Sequence, residues 1–436
     1  MSSLEIGFAA MGVLLVLLAL RVPIGVVLGL VSLGGIYAIM GERATIGVTR
    51  SMVFEFVAKW ELSAIPMFLL MGAVAFHSGL TRGLFDCARL WLSRLPGGLA
   101  VATNYASAGF AAASGSSLAT AAAMARLAVP EMLRYNYAPS LATAVVAASG
   151  TIGTMIPPSI LFVLYGMFTG QSIGMLLLAG VLPGLLTAVI YGVMIIIRCK
   201  MNPDLAPPIA EEVTWSDRFH ALRDIAPLPI LILAVIGSMY SGWATATEAA
   251  GFGAFAAIII ATVRGSMSRS VLFDSILDTL RSTGTIFYIA IGAILFSRFL
   301  TFAGVPQFMS EMADQFAYNP LLLLAVIGGI YLVLGMFLDP MGLLLLTIPI
   351  FLPFFEAAEM NLIWIGVLVV KFIEISLITP PVGLNAFVVR GVIGDAVPLG
   401  QIFKGLIWFL GAEVLIVGLL VAFPEISLAI PMSMQN

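Results

Sequence analysis

Apolar runs of helix length, separated by short clusters of basic, glycine and proline positions, make up nearly the whole chain. Leu4 to Leu20 and a second run ending near Met40 flank Arg21-Val22-Pro23, and both predict membrane helices. Thr45 to Trp60 is amphipathic, and Leu62 to Gly79 is the next apolar run. Thr81 to Pro96 interleaves Arg82, Arg89 and Arg94 with Leu84, Phe85, Trp91 and Leu92, which suits a helix lying at the cytoplasmic interface or a solvated loop helix. Gly97 to Met132 is long enough for one helix, but Ser114-Gly115-Ser116-Ser117 in its middle makes a good turn. The pattern predicts a re-entrant hairpin with its tip there, or else a continuous helix packed through small residues. Tyr137 to Ser149 continues as a helix, breaks from Gly150 to Pro158 and resumes to about Thr169, after which Ser172 to Ile197 crosses back.

Two adjacent prolines within apolar sequence remove two backbone donors and stop a helix, and this happens twice, at Pro157-Pro158 and Pro380-Pro381. The two pairs stand 223 positions apart. The same shift lays Pro130 on Pro353, Ser116 on Asp339 and Thr81–Pro96 on Gly304–Asn319 without a gap, so the chain reads as two copies of one unit. The second copy runs Ala226 to Ser241, Trp243 to Val263, a basic turn at Arg264 and Arg269, and Leu280 to Thr301. Its interfacial segment, Val305 to Phe316, carries Glu311 and Asp314 where the first carries arginines. That reversal, with five crossings per copy, predicts repeats inserted upside down to each other. Arg21, Arg264, Arg390 and Lys404 then lie in the cytoplasm and both termini outside it. The polar loop Arg198 to Asp224 separates the copies.

These readings give an all-α polytopic membrane protein with re-entrant hairpins and broken helices. Its segments are scaffold helices and arm at 1–96, a first hairpin and broken helix at 97–172, and a last helix and loop at 173–225. The second copy supplies scaffold and arm at 226–318, a hairpin and broken helix at 319–398, and a C-terminal helix at 399–436.

Composition agrees: 61% of residues are apolar and 10% charged, against roughly 25% charged in soluble domains. About ten to twelve membrane segments of ~20 residues fit this length, with no room for an ATPase domain and no phosphate-binding loop. Met1 to Leu20 lacks a basic leader and reads as a first membrane helix. Two cysteines, Cys87 and Cys199, and two histidines, His77 and His220, leave no parts for a disulfide framework, a thiol metal site or membrane-protease chemistry, so an enzyme is not expected.

Asp339, Asn385, Glu374, Lys371 and Glu248 sit in apolar surroundings, where ionisable groups are costly and usually paired or functional. Asp339 is either the N-cap of a half-helix or a cation ligand. Lys371 and Glu374 have the spacing of a mutually neutralising helical pair, and Glu248 suits a helix start at the interface. Hydroxyls, backbone carbonyls and one carboxylate suit a hard cation such as Na⁺.

The runs beginning Ser114-Gly-Ser-Ser-Leu-Ala-Thr, Gly150-Thr-Ile-Gly-Thr-Met-Ile-Pro-Pro-Ser, Leu164-Tyr-Gly-Met-Phe-Thr-Gly-Gln-Ser, Gly335-Met-Phe-Leu-Asp-Pro and Leu377-Ile-Thr-Pro-Pro-Val-Gly-Leu-Asn closely resemble the large membrane subunit of TRAP (tripartite ATP-independent periplasmic) transporters, nearly end to end. The resemblance implies a fold similar to divalent anion/sodium symporters, with a scaffold and a moving, elevator-type transport domain. It implies a sodium-driven importer of an organic acid in the bacterial inner membrane, both termini periplasmic. The partners it implies are a small four-helix membrane subunit and a periplasmic substrate-binding protein, with no nucleic acid. Dicarboxylate, sialic acid and sugar acids all stay open, as does a stand-alone sodium/carboxylate symporter.

Carried onto this chain, one Na⁺ site falls between Ser114, Gly115, Ser116, Ser117 and the break at Gly150, Thr151 and Thr154. The other falls between Gly335, Asp339, Pro340 and Thr379, Pro380, Val382. Substrate is implied at Ser116, Ser117, Thr154, Pro157, Pro158, Pro381 and Asn385. One departure is Ala244-Thr245-Ala246-Thr247-Glu248, where members of the family often have Pro before the Thr-Glu pair.

Overall fold

Proline and glycine positions set where the helices of this chain stop. The computed structural model describes residues 2–81, 83–208, 213–316 and 320–434, the side chains of 312–316 excepted, and the described residues form helices, turns and short connections. The expectations placed on Arg82, on the Asp314 side chain and on Asn319 lie outside them.

The first half runs α1 (Ser3–Ala19), α2 (Ile24–Met40), α3 (Glu42–Val57), α4 (Ala64–His77), the arm α5 (Gly83–Leu92), α6 (Gly98–Ser114), α7 (Ser117–Arg134), α8 (Pro139–Ser149), α9 (Ile160–Thr169), α10 (Ile173–Ala179) and α11 (Val181–Met201). After a loop helix α12 (Trp215–Ile225), the second half runs α13 (Pro227–Tyr240), α14 (Ala246–Val263), α15 (Arg269–Ala303), α16 (Val305–Phe316), α17 (Pro320–Gly335), α18 (Pro340–Ala357), α19 (Leu362–Ser376), α20 (Leu384–Ile393), α21 (Leu399–Ala422) and α22 (Glu425–Ser433).

A shift of 223 positions carries Ser117–Arg134 onto Pro340–Ala357 at both ends, and the N-caps Ser116 and Asp339 onto each other. One element departs. α3 and α4 are separate, joined through a 3-10 turn at Trp60–Ser63, whereas α15 runs unbroken for 35 residues over the matching stretch. Pro66, in the first turn of α4, has no amide to give and its ring disfavours a preceding α-helical turn; its counterpart Ile289 imposes neither limit.

The halves pack reciprocally. α2 lies on α15 while its counterpart α14 lies on α4, the counterpart of the second part of α15. Likewise α7 lies on α20 and α18 on α9. The same surfaces are thus exchanged between the halves, which share one cross-packed core. At its centre are the broken helices: α8 is buried from Leu141 to Ser149, and α19 from Ile365 to Ser376.

Among the described residues six helices are long and apolar enough to cross a membrane, or seven if α12 and α13 count as one bent span. The sequence predicts more crossings: the apolar helices α1 and α2 have 17 residues each and α17 has 16, just short of bilayer length, and α9, which follows a helix break, has 10.

The described C-terminal part of the polar loop between the halves is helical. Thr214 closes a capping box with Asp217, and those hydrogen bonds hold the Asp217 carboxyl below its ordinary range. Arg218 lies between Trp215 and Trp91 and donates from Nε to the Leu90 carbonyl at 3.2 Å, docking α12 on the arm α5.

Candidate functional site

The first hairpin turns where small residues let it. Gly115 adopts φ 63°, and a Cβ there would stand 2.7 Å from the Pro158 carbonyl oxygen, so the Ser114–Ser117 tip rests directly on the break after α8. Within the tip, Ser114 and Thr120 share a hydroxyl contact of 3.0 Å, Thr120 donates to the Ser116 carbonyl at 2.8 Å, and Ser116 Oγ caps α7 at the Ala119 amide. The break is a 3-10 turn, Gly150–Thr154, followed by a cis peptide bond at Pro157-Pro158, and all of it is buried. The Thr151 hydroxyl is taken by its own helix, at the Ala148 carbonyl, while Thr154 Oγ1 is buried without a hydrogen-bond partner.

The second hairpin is built alike and is more open. Gly335 presses on Ser376 at the end of α19, leaving no room for a side chain. Asp339 caps α18, its Oδ2 accepting from the Gly342 amide at 3.0 Å, and it makes no hydrogen bond to Thr379, Pro380 or Val382. The capping alternative therefore accounts for the described contacts of Asp339. Thr379 donates to the Ile375 carbonyl at 2.7 Å, and the Pro380-Pro381 bond is also cis. Pro340, Thr379, Pro380 and Val382 are half-buried and Pro381 is exposed, whereas Pro157 and Pro158 are buried.

Between these assemblies, polar groups of the two halves interlock. Ser117 Oγ donates to Glu374 Oε2 at 2.6 Å, tying the first tip to α19. Asn385 Nδ2 donates to the Ala147 carbonyl at 2.9 Å, tying α20 to α8. Both meet beside Gly150, where a Cβ would lie 3.0 Å from the Ser117 carbonyl oxygen and 3.3 Å from Asn385 Nδ2.

The expected Lys371–Glu374 pair does not form. Lys371 Nζ lies 2.8 Å from Glu413 Oε1 and 3.0 Å from Thr187 Oγ1, in a cluster completed by the Tyr191 hydroxyl donating to Glu413. Helical spacing places Lys371 and Glu374 near each other, but α11 and α21 pack against each other, with α21 also on α19, and bring a carboxylate and a hydroxyl straight onto the ammonium. Sequence reading passes over Glu413, although a lone acid in the 24-residue apolar run of α21 is itself a signal. Glu248 stands at a helix start, as expected, in a capping box with Thr245.

The donor set is oxygen throughout: hydroxyls, carbonyls at the helix breaks, and the carboxylates of Asp339 and Glu374. No group of three or more His, Cys, Asp or Glu able to hold a metal occurs among the described residues. Oxygen cradles with low formal charge suit hard monovalent cations, and half-helix N-termini facing a cleft suit an anion.

Residues 11–426 match the family model described as "Tripartite ATP-independent periplasmic transporter, DctM component". The chain is 35% identical over 381 residues to the C4-dicarboxylate TRAP transporter large permease protein DctM of Pseudomonas aeruginosa, covering 87% of this chain and 88% of that one. It is 29% identical to the sialic acid TRAP transporter large permease protein SiaM of Vibrio cholerae, covering 95% and 96%. In fold it is similar to the YdaH transporter of Alcanivorax borkumensis, with a TM-score of 0.64 at 12% identity over 89% and 90% of the two chains.

Proposed function

This chain belongs to the DctM component family of tripartite ATP-independent periplasmic transporters, and from that membership we propose that it is the large permease subunit of a sodium-driven importer of organic acids. The observation that carries the reading is the paired architecture. Two hairpin tips sit at the ends of two broken helices, related by one register and cross-packed, which is how inverted-repeat carriers build a midplane site. The relatives' substrates, C4-dicarboxylate and sialic acid, are organic acids, and a carboxylate substrate fits a site framed by half-helix N-termini and hydroxyls.

In the proposed cycle Na⁺ orders each tip against its break, at Ser114–Ser117 with Gly150–Thr154 and at Gly335–Pro340 with Thr379–Val382. The substrate carboxylate then sits between the tips, near Ser117, Thr154 and Asn385. The hairpins and broken helices next move together across the scaffold as an elevator. Partners are a small membrane subunit and a periplasmic binding protein, in the bacterial inner membrane.

Reconstitution of the chain with its small subunit tests the partner assignment. Uptake of a labelled C4-dicarboxylate or sialic acid that requires added binding protein supports the tripartite reading. Equal uptake without it makes this a stand-alone symporter.

A further inference from the structure

Among the described residues, Glu374 is the buried acid that the packing leaves without a counter-ion. Its neighbourhood holds one ammonium, Lys371, and two carboxylates, Glu374 and Glu413, all three at most 1% exposed. Lys371 spends its charge on Glu413, so the cluster is one cation short. Glu374 Oε2 accepts the Ser117 hydroxyl, while Oε1 has no partner. Asn385 is likewise fully buried, with Nδ2 engaged and Oδ1 without a partner, and the hydroxyl of Thr154 is in the same condition. An ionised buried carboxylate without a compensating charge is among the costliest arrangements in a protein, and buried acceptor oxygens normally find a donor or a cation.

The geometry points to a cation position at the junction of the two repeats, held by Glu374 Oε1 and Asn385 Oδ1 from the second half and by Thr154 Oγ1 from the first. One carboxylate with neutral oxygens is a donor set for a single monovalent hard cation, Na⁺. This rests on the sodium-coupled reading and extends it: where the tip sites each join a hairpin to the break of its own half, this position joins the halves. Na⁺ bound there neutralises Glu374 and clamps the first tip, through Ser117, to α19.

The test is the Na⁺ dependence of thermal unfolding of the complex with its small subunit in lipid nanodiscs, with choline replacing Na⁺. Sodium stabilises the wild type in a saturable way. Glu374→Gln, which keeps an acceptor for Ser117 but removes the charge, raises the Na⁺ concentration for half-maximal stabilisation by about tenfold or more, equivalent to ~1.4 kcal/mol. Glu374→Asp recovers part of that loss. Should Glu374→Gln not assemble, Asn385→Ser carries the test with the same expected direction. Unchanged Na⁺ dependence in these variants, alongside a weakened response in Asp339→Ala, overturns the junction position and leaves the sodium reading standing. A wild type that ignores Na⁺ overturns both, leaving Glu374 a protonated structural acid.

Discussion

Lys371 Nζ stands 2.8 Å from Glu413 Oε1, a fully buried ion pair between α19 and α21 that passes over the nearer-in-sequence Glu374.

Removing one partner of such a pair strands the other charge, and this typically costs about 3–5 kcal/mol. Lys371→Met and Glu413→Leu alone are expected to be strongly destabilised in urea or thermal unfolding of the detergent-solubilised protein. The double variant recovers most of the loss, because apolar replacement of a whole buried pair is often neutral or better. Additive losses in the double variant would show that the two groups do not compensate each other.

Ser116 and Asp339 are N-caps at matching positions of the two hairpins, with side chains accepting from Ala119 and Gly342. Replacing a cap by Ala costs typically ~1 kcal/mol, too little to unfold a protein of this size. Ser116→Ala and Asp339→Ala should therefore express normally and depress sodium-dependent uptake. Wild-type sodium dependence in both variants removes the tips from the ion sites.

Gly335 leaves no room for a methyl group beside Ser376. Gly335→Ala is expected to lose roughly 1–3 kcal/mol through overpacking and to lose uptake with it. Adding Ser376→Gly, which removes the nearer of the two side chains in the way, should restore part of both. Failure of the second change to restore either would place the defect at Leu343, whose Cδ2 would lie 2.8 Å from the added methyl, or in the backbone of the tip.

Orientation is tested by single cysteines. Trp243 is 91% exposed, and both native cysteines, Cys87 and Cys199, are buried, which keeps background labelling low. In whole-cell labelling with an impermeant maleimide, Trp243→Cys reacts from the periplasm and Arg264→Cys does not. The opposite pattern inverts the assigned topology.

Much of this was legible in the chain because helix breaks are local chemistry. Adjacent prolines and a Ser-Gly-Ser-Ser tip stop a helix whatever surrounds them, and a register of 223 positions is visible in Pro157 and Pro380 alone. Partner choice was not legible. Lys371 and Glu413 stand 42 residues apart and Ser117 and Glu374 stand 257 apart, so only the packing of helices from both halves decides that the lysine turns away from Glu374. The α12 helix was hidden for another reason: its stability comes from one capping box and from aromatic packing on a distant arm, neither of which produces an apolar run.

The most direct test of sodium-driven import is uptake of a labelled organic acid into proteoliposomes holding this chain, its small subunit and the matching binding protein, under an inward Na⁺ gradient. The account predicts accumulation above the external concentration that collapses when the Na⁺ gradient is dissipated at constant membrane potential. Accumulation that survives loss of the Na⁺ gradient and follows an imposed proton gradient would contradict it.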